Sequence, residues 1–101
     1  MSSREHIAAV AQAMLDGRVE LHAGCREICE QQHQLSMPDV HDKDLLFVVG
    51  VDSELAACPV GAARQYWEPT ALAEKDRERD EYLCRVNDRL VTACRALATW
   101  Q

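Results

Sequence analysis

Hydrophobic positions in the first third of the chain recur with the spacing of two amphipathic helices. Between residues 4 and 16, five apolar side chains fall at i, i+3, i+4, i+7 and i+8: Ile7, Val10, Ala11, Met14 and Leu15. Ser2 or Ser3 can cap this helix, and Gly17 can end it in a left-handed conformation. Residues 20 to 34 repeat the pattern. Gly24 lies inside that second helix, where it would let a neighbouring helix approach closely.

The segment from Leu45 to Val51 is apolar on every side, so its spacing alone does not separate a strand from a buried helix. Its β-branched residues favour a strand. However, no other segment resembles a partner strand, and a lone strand would leave its backbone groups unpaired. We therefore predict a helix from about 43 to 55, capped by Asp42 or Asp44 and placed near the middle of the fold. The preceding "SMPDVHDKD" predicts a loop.

The remainder of the chain predicts a turn, a short helix and one long helix. Pro59 in "CPVG" cannot continue a helix, residues 61 to 67 form the short helix, and Pro69 takes the first position of the last one. Nothing interrupts that helix before Trp100, and the alternating charges of "AEKDRERDE" can pair along it. The predicted fold class is all-α. It is a small bundle of four main helices plus one short helix, with residues 1–101 forming a single domain.

The charge pattern narrows the class of partner. The chain carries a net charge of −6, and residues 36 to 63 hold five acids against one base. Such a surface repels phosphate backbones and anionic lipids, so we expect no nucleic-acid or membrane partner. A basic protein would be attracted instead. No secretory segment or membrane-spanning run is recognised, and five cysteines cannot all pair internally, so we expect a cytoplasmic protein with reduced thiols.

Four potential zinc ligands share one face of the second helix. They are His22, Cys25, Cys29 and His33. His22 and His33 would lie about 16 Å apart along the axis, and four ligands from one straight helix cannot form a tetrahedron. Two of them could still bind metal with a third group from elsewhere. We expect small core cysteines instead, with no metal and no cofactor. The same reasoning makes Cys84 and Cys94 core residues and leaves Cys58, in a turn, as the exposed cysteine.

The acids around the third helix are the main candidate site. Asp39, Asp42, Asp44, Asp52 and Glu54 form what we call the acidic rim, with Tyr66 as an aromatic anchor for a protein partner. Acid–base chemistry by Asp52 and Glu54 is the less favoured alternative. We expect Glu54 to pair with Arg64, which follows the turn, and Trp67 to fill the core.

The order of these motifs resembles a family of small uncharacterised bacterial proteins. The stretches that carry the resemblance are "GCREICEQQHQL", "DLLFVVGVDSE", "PVGAARQYW", "ALAEKD" and "ACRAL". It implies a bacterial, cytosolic, all-helical protein and assigns no activity. In size, acidity and helix content the chain also resembles bacterial toxin-immunity proteins. The paired-tyrosine motif of the nuclease-colicin immunity proteins is absent here.

These observations favour a binding protein over an enzyme. The leading hypothesis is a small acidic protein that binds a basic partner, in the form of a toxin that it neutralises. The alternative is a cytosolic helical protein without a toxin partner, forming a homodimer through its long helix. A small enzyme is the third hypothesis.

Overall fold

The computed structural model describes residues 2–100 and places the whole of that range in helices and connecting turns, without a β-strand. The α-helices are α1 (Ser3–Leu15), α2 (Leu21–Gln32), α3 (Lys43–Glu54) and α4 (Pro69–Leu97). Two 3-10 helices, Asp39–His41 and Gly61–Tyr66, lie before and after α3. The predicted all-α class is confirmed, including the helical state of the ambiguous third segment. The first 3-10 helix replaces part of the predicted loop.

The helix ends follow the predicted capping chemistry. The Ser2 hydroxyl accepts a hydrogen bond from the Glu5 amide at 3.1 Å, and Gly17 ends α1 with a φ of 74°. The Asp42 carboxylate accepts from the first-turn amides of α3 at 2.9 and 3.0 Å. Helix α4 stops at Leu97 rather than continuing to Trp100 as predicted. The final turn lets the Trp100 ring lie under the Arg4 guanidinium, 4.5 Å from its centroid.

The four helices pack as a ring around one hydrophobic core. Helices α1 and α3 each pack against both α2 and α4. The predicted central position of α3 is therefore wrong, since α3 occupies one corner of the ring. Its inner side chains Leu45, Val48 and Val51 are buried, whereas Leu46 is 44% exposed and Gly50 is exposed. A corner helix has an outer face, and on α3 part of that face is apolar.

Gly24 provides the close contact between α1 and α2, as predicted. A Cβ atom built at this glycine would lie 2.4 Å from both Cγ and Sδ of Met14, whose side chain is buried. Only a residue without a side chain fits that approach unless Met14 moves.

Helix α4 has 29 residues, whereas the other three helices have 12 or 13. Its buried residues lie in its last third: Leu90, Ala93, Cys94 and Leu97. At about 1.5 Å per residue, α4 is about 44 Å long, more than twice the length of the other helices, and no residue of its first half is fully buried. Within that half Arg77 pairs with Glu74 and Glu81, which confirms the predicted pairs of alternating charge.

Candidate protein-binding surface

The acidic rim does not form one continuous patch. Asp42 immediately precedes α3 and Glu54 is its last residue. The two ends of this 12-residue helix are about 18 Å apart. Asp39, Asp42 and Asp44 therefore lie at the start of α3, while Asp52 and Glu54 lie at its end.

The acids at the start of α3 are already used within the fold. Asp39 pairs with Arg4 of α1 at 2.6 Å, and the buried Asp44 pairs with Arg89 of α4 at 3.2 Å. Asp42 caps α3. These carboxylates fix the start of α3 against α1 and α4, so changing them would disturb the fold as well as the surface charge.

Asp52 is also used within the fold. It is only 9% exposed and accepts a hydrogen bond from Arg26 Nε at 2.8 Å, which joins α3 to α2. That hydrogen bond raises the pKa of Arg26. The half-buried Cys29 lies in the same region, and burial followed by the Asp52 charge raises the pKa of its thiol. Because the Asp52 carboxylate is taken up by Arg26 across the α2–α3 contact, this acid suits a structural ion pair better than acid–base chemistry.

The predicted ion pair between Glu54 and Arg64 is wrong. Arg64 instead donates two hydrogen bonds to the Asp76 carboxylate on α4, at 2.7 and 2.8 Å. These bonds lower the pKa of Asp76. These two bonds join the second 3-10 helix to α4 and give Arg64 a partner other than Glu54. Glu54 remains exposed, with no ion-pair partner in the described part of the chain.

Tyr66 is the most exposed large apolar side chain in residues 2–100, with 83% of its surface accessible. The neighbouring Trp67 was predicted to fill the core, but it is half-buried and lies outside the hydrophobic cluster. Glu68 follows, also exposed. The connection between α3 and α4, residues 55–68, thus exposes the Tyr66 ring two residues before the exposed Glu68 carboxylate.

The cysteines differ from prediction at three positions. Cys29, predicted as a core residue, is half-buried and lies outside the hydrophobic cluster. Cys58 is buried, because the turn folds onto α4 and its thiol donates to the Lys75 carbonyl at 3.6 Å. Cys84 is exposed rather than in the core, since it lies on the outer side of α4. Cys25 and Cys94 are buried as predicted, and burial raises their pKa values to about 12 and about 11.

His22, considered from sequence only as a potential zinc ligand, is a buried polar residue. It is 2% exposed, and neither ring nitrogen has a hydrogen-bond partner in the described range. Burial lowers its pKa, and the charges of Arg79 and Arg26 lower it further. His33 is exposed. Between residues 2 and 100 no group of three His, Cys, Asp or Glu side chains is arranged to hold a metal ion.

The fold defines a small all-α bundle in which four helices form a ring and the last helix is more than twice as long as each of the others. Searches find no matching family model, curated protein or solved structure. The resemblance to small bacterial helical proteins and to immunity proteins therefore stays a prediction. None of the helices described is both long enough and apolar enough to pass through a lipid bilayer.

Proposed function

We propose that the protein is a small acidic binding module whose partner is a basic protein. In the specific form that we propose, it acts in the bacterial cytoplasm and neutralises a toxin by direct binding. The proposal rests on Tyr66, whose aromatic side chain is 83% exposed on a protein with a net charge of −6. Aromatic residues supply much of the binding energy at protein interfaces.

The charges near this ring in the sequence favour a cationic partner. Glu54 and Glu68 are exposed at either end of the α3–α4 connection. Arg64, the base within that connection, is neutralised by Asp76. A lysine or arginine of the partner can lie over the tyrosine ring close to Glu68, two residues along the chain, while Glu54 adds to the negative field.

Of the acidic rim, Glu54 is therefore proposed to contact the partner directly together with Tyr66. Asp39, Asp42, Asp44 and Asp52 remain in the proposal as contributors to the negative field. Their ion pairs and cap make them poor probes, because each substitution would also alter the fold. Glu54 and Glu68 are better probes of recognition.

The test starts with capture of partners from a lysate of the native host, followed by surface plasmon resonance on the purified partner. Tyr66→Ala should raise the dissociation rate by about thirtyfold, corresponding to about 2 kcal/mol. The double change Glu54→Gln with Glu68→Gln should mainly slow association, with an effect that shrinks as salt rises. Asp88→Asn, an exposed acid on α4, is the matched control and should leave both rates unchanged.

Toxin neutralisation has its own test. Expression of the captured partner alone should arrest growth, and co-expression of the wild-type chain should restore it while Tyr66→Ala should not. A partner that binds all variants equally would exclude this surface. A partner that binds as expected but is harmless would leave a binding module and exclude the immunity role.

A further inference from the structure

The exposed large apolar side chains of residues 2–100 are confined to α3 and its two flanking connections. They are Met37, Leu46 and Tyr66, at 67%, 44% and 83% exposure. One exposed leucine on a protein surface is ordinary. Leu46 is the one of the three that lies on an α-helix, since the described parts of α1, α2 and α4 carry none, so the outer face of α3 is the candidate for a contact role.

Gly50, at the centre of the outer face of α3, has no role in packing the single chain. A Cβ atom built there meets nothing within 4 Å, in contrast to the tight site at Gly24. Glycine in an exposed helix interior costs about 1 kcal/mol relative to alanine. What this glycine does allow is the close approach of a second backbone from outside.

The same face has one unpaired charge of each sign at its two ends. Lys43, Leu46, Gly50 and Glu54 follow the spacing i, i+3, i+7 and i+11, so they share one side of the helix. Lys43 and Glu54 are both exposed, and neither has an ion-pair partner within the described chain. We call these four residues the outer face of α3.

We propose that this face binds a second copy of the chain, with the two α3 helices antiparallel and crossing at Gly50. Lys43 lies about 10 Å before Gly50, and Glu54 lies about 6 Å after it. In the antiparallel pair each Lys43 would therefore be offset by only about 4 Å from the other copy's Glu54, which a lysine side chain spans. Two-fold symmetry makes this ion pair twice.

The ends of the helices are complementary in the same way. The antiparallel pair places the start of each α3, which follows Met37, next to the end of the other α3, so the same contact forms twice. The long helix α4, considered from sequence as a dimer interface, already pairs the charges of its first half within the helix. The self-complementary features therefore lie on α3.

The proposed dimer does not depend on the proposed toxin partner, although both use Glu54. A second copy and a basic protein would compete for the same surface, so the free protein would be a dimer that separates on binding. A failure to dimerise would leave the partner proposal intact, and a dimer without a basic partner would leave this inference intact.

Sedimentation velocity of the full chain over a wide range of concentration tests the dimer. The wild type should dimerise with a Kd on the order of 10 to 100 μM, as expected for a small interface. Lys43→Glu and Glu54→Lys should each weaken dimerisation at least about tenfold, since each reverses two ion pairs per dimer. The double variant should return to within about threefold of the wild type, because it restores both pairs with reversed sign.

Matched controls separate this effect from net charge. Arg95→Glu and Asp88→Lys make the same charge changes at exposed positions of α4 and should leave the Kd unchanged. Leu46→Glu should give a folded monomer, with its fold checked by circular dichroism. A wild type that stays monomeric at millimolar concentration would overturn the proposal. So would a dimer that resists Leu46→Glu, or a double charge variant that binds no better than the single ones.

Discussion

Gly24→Ala should destabilise the protein, although alanine is the better helix former. The added methyl would lie 2.4 Å from Cγ and Sδ of Met14 and 3.1 Å from its Cε. Normal carbon contacts are about 3.5 to 4.0 Å, so the first two contacts are more than 1 Å too short. Met14 is 4% exposed, so relief of the overlap requires its side chain to leave the rotamer in which it packs against the core.

The net effect follows from two opposing contributions. Overpacking a core by one methyl group costs about 1 to 3 kcal/mol. The upper end applies here because Cγ lies close to the α1 backbone and moves less freely than the end of the side chain. Alanine returns about 1 kcal/mol of helix propensity. We therefore expect Gly24→Ala to lower the free energy of unfolding by about 2 kcal/mol.

A double-mutant cycle with Met14→Ala isolates the cause. Met14→Ala alone should cost about 2 to 5 kcal/mol because it leaves a cavity. In that background Gly24→Ala should stabilise by about 1 kcal/mol, since the overlapping atoms are gone and the propensity gain remains. Gly24→Ala should thus lower the free energy of unfolding of the wild type and raise that of the Met14→Ala protein.

Urea unfolding followed by circular dichroism measures all four members of the cycle, at micromolar concentration so that the monomer dominates. Gly50→Ala is the matched control: it is the same change in another helix interior, and it should raise stability by up to about 1 kcal/mol because its Cβ meets nothing. A Gly24→Ala protein as stable as the wild type, or equally destabilised with and without the Met14 side chain, would refute the steric explanation.

Three further predictions concern buried polar groups and thiols. Because burial lowers the pKa of His22, the unfolded chain takes up a proton at this residue more readily than the folded chain does. The free energy of unfolding should therefore fall as the pH drops below about 6.5. The urea midpoints of His22→Gln should vary less with pH than those of the wild type. The exposed Cys84 should react fastest with a disulfide reagent. The buried Cys25, with its pKa of about 12, should react only when the protein unfolds. A fast phase that persists in Cys84→Ser would contradict this prediction. Arg26→Ala should lower the free energy of unfolding by about 1 to 2 kcal/mol, because it leaves the nearly buried Asp52 carboxylate unpaired. Arg26→Lys should retain part of that stability, and thermal or urea unfolding measures both variants.

The positions of the helices could be predicted because their causes are local. The 3.6-residue spacing of apolar side chains marks α1 and α2, and single residues set their ends, such as Ser2 and Gly17. The helical state of α3 needed one non-local argument, the missing partner strand. The contact at Gly24 was also predictable, since a glycine inside a helix usually has a packing reason.

The partners of the charged side chains were not predictable in this way. Asp52 pairs with Arg26 and Asp44 with Arg89, across 26 and 45 residues of sequence. No local pattern selects those partners among 11 basic residues. Arg64 was assigned to the wrong acid because its position depends on how the second 3-10 helix lies against α4. The burial of Cys58 depends on that same packing.

The paired carboxylates of α3 determine which face of the helix points outward. Asp44 and Asp52 are eight residues apart on the inner side, and their arginine partners on α4 and α2 fix the rotation of the helix about its own axis. That rotation directs Leu45, Val48 and Val51 into the core, and it leaves Leu46, Gly50 and Glu54 facing outward. The structural carboxylates therefore determine which residues are offered for binding. Because the two sets do not overlap, Leu46 and Glu54 can be changed to test recognition without removing the ion pairs that hold α3 in place.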